Sequence, residues 1–158
     1  MTTEIRMLND SLAPHFARLN RAWIERLYAI EPADEVILAS PQQLVDNGGA
    51  VLFLLVNDEV VGTGGLQKLN EETVEVVKMA VDPGHQGQGL GGRIMAALLE
   101  EARRLGFRRA YIETNGELVA AQNLYLKYGF KPTGQSVSLH GYVRADMFYE
   151  LQLKEDAT

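Results

Sequence analysis

A strand, a glycine-rich loop and a helix follow one another directly within residues 74–105, and this segment constrains the fold most. Valine occupies four of the eight positions 74–81, which favours a β-strand. Asp82-Pro83-Gly84 ends that strand, because proline has no amide to donate to a strand ladder. Five glycines fall among the nine residues 84–92, and apolar spacing predicts a helix over 90–105.

This order of elements predicts a site for an anion. The first N–H groups of a helix have no acceptor within the helix, and the helix dipole adds about half a positive charge there. Glycines allow a bulky diphosphate to approach the backbone. We therefore expect a phosphate-bearing ligand at this loop. The alternative is an ordinary loop whose glycines only permit tight turning.

Two segmentations of the loop point to different ligands. Gly87-x-Gly89-x-x-Gly92 fits the dinucleotide fingerprint of a nicotinamide-dependent oxidoreductase, and Glu113 follows at about 20 residues. However, the dinucleotide loop turns directly off its strand, whereas residues 83–86 intervene here. The second segmentation, Gln86-Gly87-Gln88-Gly89-Leu90-Gly91, follows the pattern Gln/Arg-x-x-Gly-x-Gly/Ala.

The second segmentation resembles the pyrophosphate loop of the GNAT superfamily, the acyl-CoA-dependent N-acyltransferases. Met79-Ala80-Val81-Asp82-Pro83 is similar to the strand that precedes this loop in the family. Ala121-x-x-Leu124-Tyr125-x-Lys127-x-Gly129-Phe130 is similar to its later helix and the entry to the following strand. Two motifs in the right order and at the right separation make the resemblance specific over about residues 50–133.

The hydrophobic pattern predicts an α+β fold in a single domain over residues 1–158. Helices are expected at 12–27, 41–47, 90–105 and 118–128, and strands at 4–8, 50–56, 60–69, 74–81, 108–114, 130–134, 136–140 and 143–153. Short turns make the strands from 50 to 81 antiparallel, whereas a helical crossover makes 108–114 parallel to 74–81. The expected architecture is a mixed, mostly antiparallel twisted sheet with one parallel strand pair, flanked by helices, as the resemblance also implies.

Composition narrows the class of protein. Hydrophobic residues at 46% and charged residues at 23% are typical of a soluble globular chain. The chain has no cysteine, which excludes disulfides and a thiol nucleophile, and its three histidines lack metal-ligand spacing, so we expect no metal. No apolar run is long enough to span a membrane, and we expect a cytoplasmic protein without a membrane partner. The net charge of −6 argues against nucleic acid and allows a cationic substrate.

The resemblance implies an enzyme that moves an acetyl group from acetyl-CoA to a primary amine of a small molecule or amino acid. A peptide or protein amine is the second acceptor class, and a non-catalytic acyl-CoA-binding module is the alternative to an enzyme. Dimers are common in the family, which allows a homodimer. Acceptor candidates by location alone are Trp23, Tyr28, Glu31, Asp34, Glu35, His140 and Tyr142. The acidic run 31–35 is expected to be a solvated loop.

The resemblance also assigns the donor contacts. In the family the sheet splays between its two parallel strands, and the backbone of Met79, Ala80 and Val81 would hydrogen-bond the pantetheine arm and polarise the acyl carbonyl. The diphosphate would bind at the loop, with residues Gln86, Gly87, Gln88, Gly89, Leu90, Gly91, Gly92 and Arg93. Many GNAT sequences carry a pantetheine-binding asparagine seven residues before the motif tyrosine. Leu118 stands there in this chain, and Asn115 or Asn123 is the expected substitute.

Two residues are expected to carry the proton transfers. Glu75 lies six residues before Val81, where several GNAT enzymes carry a glutamate that deprotonates the amine through water. Strand alternation places Glu75, Val77, Met79 and Val81 on one face, and Lys78 on the other as a structural or rim charge. The alternative for Glu75 is a solvated acid at a strand end.

Tyr125 stands at the motif position where the family places the group that protonates the leaving thiolate. A phenol is largely protonated at neutral pH and can donate to a thiolate beside it. The alternative is a tyrosine that only packs in a helix face with Leu124. Tyr128 has no motif support, and we interpret it as a packing residue.

Overall fold

The computed structural model describes residues 2–27, 32–114, 119–134 and 147–153. In this part of the chain the elements are β1 (Thr3–Met7), α1 (Ala13–Leu27), α2 (Pro32–Ala39), α3 (Gln42–Asp46), β2 (Ala50–Val56), β3 (Glu59–Lys68), β4 (Thr73–Val81), a 3₁₀ turn (Pro83–His85), α4 (Leu90–Arg104), β5 (Arg109–Thr114), α5 (Val119–Lys127), β6 (Lys131–Thr133) and β7 (Met147–Gln152). The expected strands at 136–140 and 143–146 lie outside the described residues.

The strands of the described part form one sheet in the order β1-β2-β3-β4-β5-β7-β6. Every neighbouring pair is antiparallel except β4 with β5, which are parallel and joined through α4. The parallel pair arises because a helical crossover returns the chain in its original direction. The predicted mixed, mostly antiparallel sheet with one parallel pair is confirmed.

Helices cover both faces of the sheet and create two cores. On one face α4 and α5 pack over the sheet, with Ile94, Leu98 and Tyr125 among the buried side chains. On the other face α1, α2 and α3 do so, with Phe16, Ile37 and Leu44 buried. Alternate residues of β2 enter the two cores, since Leu52 and Leu54 lie in the first core and Val51, Phe53 and Leu55 in the second. This burial on both faces explains the nearly continuous apolar run of β2.

The solvated loop expected at residues 31–35 is wrong for its described part. Pro32 begins α2, where its fixed φ suits the first helical position and its missing N–H costs nothing. Asp34 is 0% exposed, and its Oδ1 lies 2.5 Å from the Nζ of Lys78 on β4. Lys78 is therefore a buried charge rather than a rim charge. Sequence reasoning missed this helix because it has only eight residues and its apolar residues 36–39 are consecutive, so they show no helical period.

Replacing Lys78 with methionine should lower the free energy of unfolding by about 3–5 kcal/mol. The reason is that the variant removes the ammonium that faces a buried carboxylate, and breaking a buried pair from one side is strongly destabilising. Denaturant unfolding of the wild-type chain and of Lys78→Met measures the difference.

Arg21→Met provides the matched control, because it breaks the Arg21–Glu35 ion pair between α1 and the same helix α2. Those side chains are 36% and 52% exposed, and solvent screens such a pair. The control should change the free energy of unfolding very little. Similar small effects in both variants would contradict a stabilising role for the Lys78–Asp34 pair.

Candidate active site

The two parallel strands separate soon after they begin. Their register joins Thr73 to Arg109, Val74 to Ala110 and Glu75 to Tyr111, and no later pair joins them although both strands are described to their ends. β4 continues to Val81 and β5 to Thr114. Within the described residues, the edge of β4 that faces β5 therefore has no strand partner over residues 76–81. Its backbone groups can hydrogen-bond an extended ligand, as an added strand would.

A β-bulge in β4 lies beside this open edge. Gly65 of β3 pairs with Val77, but Thr63 pairs with Ala80, so that two residues of β4 stand opposite Gly64. One of these two, Lys78, has a φ of +56°, in a region that side chains other than glycine seldom adopt. The bulge thus places an extra residue and a local bend where β4 leaves β5.

The bulge makes the expected shared face of Glu75, Val77, Met79 and Val81 wrong. Val77 and Ala80 are buried in the core with α1, α2 and α3, whereas Met79 and Val81 pack against the core with α4. Because the bulge inserts one residue, the alternation of side chains reverses across it. The backbone of residues 79–81 still runs along the gap, as the expected donor contacts require.

The glycine-rich loop presents its backbone to solvent. Gly87 and Gly89 have φ values of +83° and +75°, which favour glycine, and a Cβ at either position would meet nothing within 4 Å. Residues 86–89 are exposed. Gly89 is the N-cap of α4 and supplies no side-chain cap. Because glycine has no side chain, Gly89 does not cap the N–H groups in the first turn of α4. A bound anion could accept hydrogen bonds from these groups instead.

The next residues, 90–92, are buried or partly buried against the protein. Leu90 is 2% exposed. A Cβ on Gly91 would lie 3.7 Å from the Leu124 side chain, and one on Gly92 would lie 3.2 Å from the Tyr128 hydroxyl, so these glycines adjoin α5. Arg93 is exposed and donates a hydrogen bond to the Thr3 hydroxyl of β1. A contact between Arg93 and a diphosphate stays a prediction.

Tyr125 lies on the α5 side of the gap and is 8% exposed. Its ring makes an edge contact with Tyr149 at a centroid distance of 5.8 Å. Its hydroxyl hydrogen-bonds the side chain of Thr114, the last residue of β5, beyond the pairing with β4. Burial raises the pKa of the Tyr125 phenol to about 12, so the group is a proton donor at neutral pH.

Glu75 lies on the opposite face of the sheet. Its neighbours Val74 and Val76 are in the core with α4, so Glu75 faces α1, α2 and α3. It is 2% exposed, which rules out the solvated strand-end acid. Buried carboxylates are uncommon and often functional. Its role as a base is not tested by burial and stays a prediction.

Glu75 belongs to a row of polar side chains that sequence reasoning missed. Gln67 of β3 and Tyr111 of β5 are its register partners on either side. The Tyr111 hydroxyl donates a hydrogen bond of 2.7 Å to Glu113 Oε2, so the Glu113 carboxylate has a hydrogen-bond partner within the protein. The alternation of apolar and polar residues in β5 (RAYIET) could have revealed that Tyr111 and Glu113 share this face.

Other predicted residues are placed as follows. Asn123 is exposed on α5, two positions before Tyr125. Glu35 is an exposed partner of Arg21. Asn115, Leu118, Tyr28, Glu31, His140, Tyr142 and the side chain of Trp23 lie outside the described residues.

The described ranges contain neither a cluster of metal ligands nor a membrane-spanning helix. No three histidine, aspartate or glutamate side chains there come together as ligands of a metal ion would. Within the same ranges, every helix is too short or too polar to cross a lipid bilayer.

Comparison with known sequences gives a consistent set of relatives. Residues 10–130 match the profile described as Acetyltransferase (GNAT) family. The uncharacterized N-acetyltransferase YjgM of Escherichia coli is 34% identical over 103 residues, which are 63% of this chain and 62% of that protein. Human N-acetyltransferase 8B is 33% identical over 50% of this chain and 37% of its own length. The [ribosomal protein bS18]-alanine N-acetyltransferase of Haemophilus ducreyi is 30% identical over 66% of this chain and 74% of its own.

Solved structures share the fold over nearly the whole chain. A GNAT-family acetyltransferase from Staphylococcus aureus superposes with a TM-score of 0.87 at 21% identity, covering 97% of this chain and all (100%) of that one. The protein yncA of Salmonella typhimurium, solved with its cofactor acetyl-CoA, has a TM-score of 0.80 at 26% identity, and the match covers 100% of this chain and 98% of that one.

The free energy of unfolding should fall as pH rises from about 10 to about 12, in part because of Tyr125. The folded chain keeps this phenol protonated up to about pH 12, whereas the unfolded chain ionises it near the ordinary pKa of about 10. The unfolded state therefore gains stability over this range, by about 1 kcal/mol at pH 11. Denaturant unfolding of the wild-type chain and Tyr125→Phe at pH 8 and 11 measures this, and the variant should lose less stability. Equal losses would contradict the raised pKa.

Proposed function

Since the chain belongs to the GNAT family of acetyltransferases, whose profile covers residues 10–130, we propose that it transfers an acetyl group from acetyl-CoA to a primary amine. One observation carries the proposal. The buried phenol of Tyr125 hydrogen-bonds Thr114 at the end of β5 on one face of the sheet, and the buried carboxylate of Glu75 stands on the other face at the last residue pair before β4 and β5 separate. Acetyl transfer to an amine needs a proton donor for the leaving sulfur and a proton acceptor for the amine, at two sides of one carbonyl.

The donor would lie along the open edge of β4. Its diphosphate would bind the N–H groups from Gln86 to the first turn of α4, where exposed glycines leave room. Its pantetheine arm would hydrogen-bond the unpaired edge of residues 79–81. A strand N–H at this edge would also stabilise the negative charge that develops on the acetyl oxygen. Extended backbone beside an N-terminal helix turn fits an elongated, anionic thioester.

The bond changes assign one role to each buried group. The amine nitrogen attacks the acetyl carbonyl carbon, a C–N bond forms and the C–S bond breaks. Glu75 would accept the proton released by the amine, through a water molecule. Tyr125 would give its proton to the departing sulfur and regain one from solvent. The products are an N-acetylated amine and coenzyme A.

The high pKa of Tyr125 is compatible with this role. An ordinary thiol has a pKa of about 8.5, and the raised value of about 12 makes the phenol a weaker acid than such a thiol. The same burial that raises the phenol pKa would also destabilise a thiolate beside it. Proton transfer to the sulfur would move the negative charge from the sulfur to the Tyr125 oxygen, where the hydrogen bond with the Thr114 side chain favours the charged form until a proton returns from solvent.

A primary amine on a small molecule or amino acid is the acceptor that we propose. A buried carboxylate with Tyr111 and Glu113 on the same face supports an amine, which carries a positive charge in solution. A peptide amine is the second candidate, because one relative is named for acetylation of an alanine of a ribosomal protein.

Acetyl-CoA and desulfo-CoA should each raise the thermal unfolding midpoint of the purified chain, and NAD should not. A ligand that binds only the folded state stabilises it by on the order of 3 kcal/mol at a hundredfold excess over the dissociation constant. A shift with NAD alone would overturn the proposal and favour the dinucleotide interpretation of the loop. Binding of acetyl-CoA without thiol release on any amine of a broad panel would favour a non-catalytic acyl-CoA-binding module.

Tyr125→Phe and Glu75→Gln should each lower kcat by about a hundredfold or more, because each removes one proton transfer. The dissociation constant of acetyl-CoA should change by less than about threefold, since a carboxylate or hydroxyl that acts in the chemical step contributes little to ground-state binding. Thiol release gives kcat, and titration calorimetry gives the dissociation constant. Glu71→Gln is the matched control, because Glu71 is 90% exposed just before β4. An unchanged kcat would remove that residue from the mechanism.

A further inference from the structure

Tyr128 makes a specific contact that packing alone does not require. It follows α5, and its hydroxyl donates a hydrogen bond of 2.7 Å to the carbonyl oxygen of Gly92. Gly92 is in the first turn of α4. The bond therefore joins the end of the helix that carries Tyr125 to the beginning of the helix that follows the glycine loop.

The glycine at position 92 is explained by this contact. A Cβ there would lie 3.2 Å from the Tyr128 hydroxyl, closer than ordinary van der Waals contact, whereas a Cβ on Gly91 would lie at an ordinary 3.7 Å from Leu124. Glycine is less favourable than alanine inside a helix, so a second helical glycine needs a reason. The space taken by the Tyr128 hydroxyl provides one.

The same first turn of α4 supplies the N–H groups proposed to bind the donor diphosphate. Groups that are held in place before a ligand arrives lose less entropy when it binds. We propose that Tyr128 is a positioning residue for the donor, which fixes the first turn of α4 through Gly92 so that its N–H groups are already aligned. This inference rests on the proposed function of the site.

Tyr125 on α5 and Tyr128 directly after α5 would then influence opposite ends of the bound donor. Tyr125 on α5 would act at the sulfur, and Tyr128, three residues later, would act on the diphosphate through α4. The two tyrosines should therefore separate kinetically. Loss of the Tyr125 hydroxyl should lower turnover, whereas loss of the Tyr128 hydroxyl should weaken donor binding.

The test measures the acetyl-CoA dissociation constant of four proteins by titration calorimetry: the wild type, Tyr128→Phe, Gly92→Ala and the double variant. Tyr128→Phe should raise the constant about fivefold, as expected for one lost hydrogen bond. With acetyl-CoA saturating, its kcat on the amine that the wild type acetylates fastest should stay within about twofold. Gly92→Ala should weaken binding similarly, because its methyl group displaces the hydroxyl.

The double variant distinguishes two reasons for Gly92. Phenylalanine lacks the oxygen that the methyl group would meet, and the next ring atom is 3.8 Å away, so the double variant should bind acetyl-CoA no more weakly than Tyr128→Phe. If Gly92→Ala weakens binding equally in both backgrounds, Gly92 serves the ligand directly and the inference is overturned. Wild-type affinity in Tyr128→Phe would overturn it as well.

Tyr149→Phe is the matched control for binding. It removes another hydroxyl that is bonded to α5, through Gln122, but not to the loop. Its acetyl-CoA affinity should remain that of the wild type, and a loss equal to that of Tyr128→Phe would reduce Tyr128 to a structural role. Failure of the wild type to bind acetyl-CoA would overturn the proposed function itself. Wild-type binding with no effect of Tyr128→Phe would overturn only this inference.

Discussion

The ion pair between Lys78 and Asp34 connects the bulge of β4 to α2, and the geometry of the gap depends on that bulge. Lys78 has a φ of +56°, a backbone conformation that is unfavourable for a lysine unless the surroundings hold it. Its Nζ lies 2.5 Å from a carboxylate oxygen in the protein interior, with side chains 5% and 0% exposed. Two buried charges gain little net stability together, but neither can leave without a large penalty. The pair is therefore suited to hold one particular backbone geometry.

That geometry determines what each face of the sheet contributes. If β4 had no extra residue opposite Gly64, strict alternation would place Met79 and Val81 on the face of Glu75. The bulge instead directs their side chains to the α4 core, and only their backbone borders the gap. The small side chain of Ala80 enters the other core.

Strands and helices could be predicted from the sequence wherever local backbone preferences or the burial pattern of one element determine the structure. The segment from β4 to α4 was predictable because valine, proline and glycine each have a strong backbone preference, and β2 because both its faces are buried. The pairing of Asp34 with Lys78 was not predictable because they are 44 residues apart and only tertiary packing brings them together. Likewise, nothing in the string EVVKMAV marks Lys78 as the bulge, since the extra residue is defined only by its register with β3. The Tyr128–Gly92 bond is hidden for the same reason, at a separation of 36 residues.

The separation of the two groups that we propose for proton transfer follows from the sheet itself. Tyr125 is buried in the core with α4 and α5, and Glu75 faces the other helices. Between paired strands a continuous hydrogen-bond ladder would block any passage from one face to the other. β4 and β5 lack that ladder beyond Glu75 and Tyr111, so a ligand bound there could be reached from both faces of the sheet. A thioester held in that opening would present its sulfur to one face and its carbonyl carbon to the other. In the proposed mechanism, attack from the Glu75 face and protonation from the Tyr125 face would be separated in space, which would prevent the two groups from exchanging a proton directly.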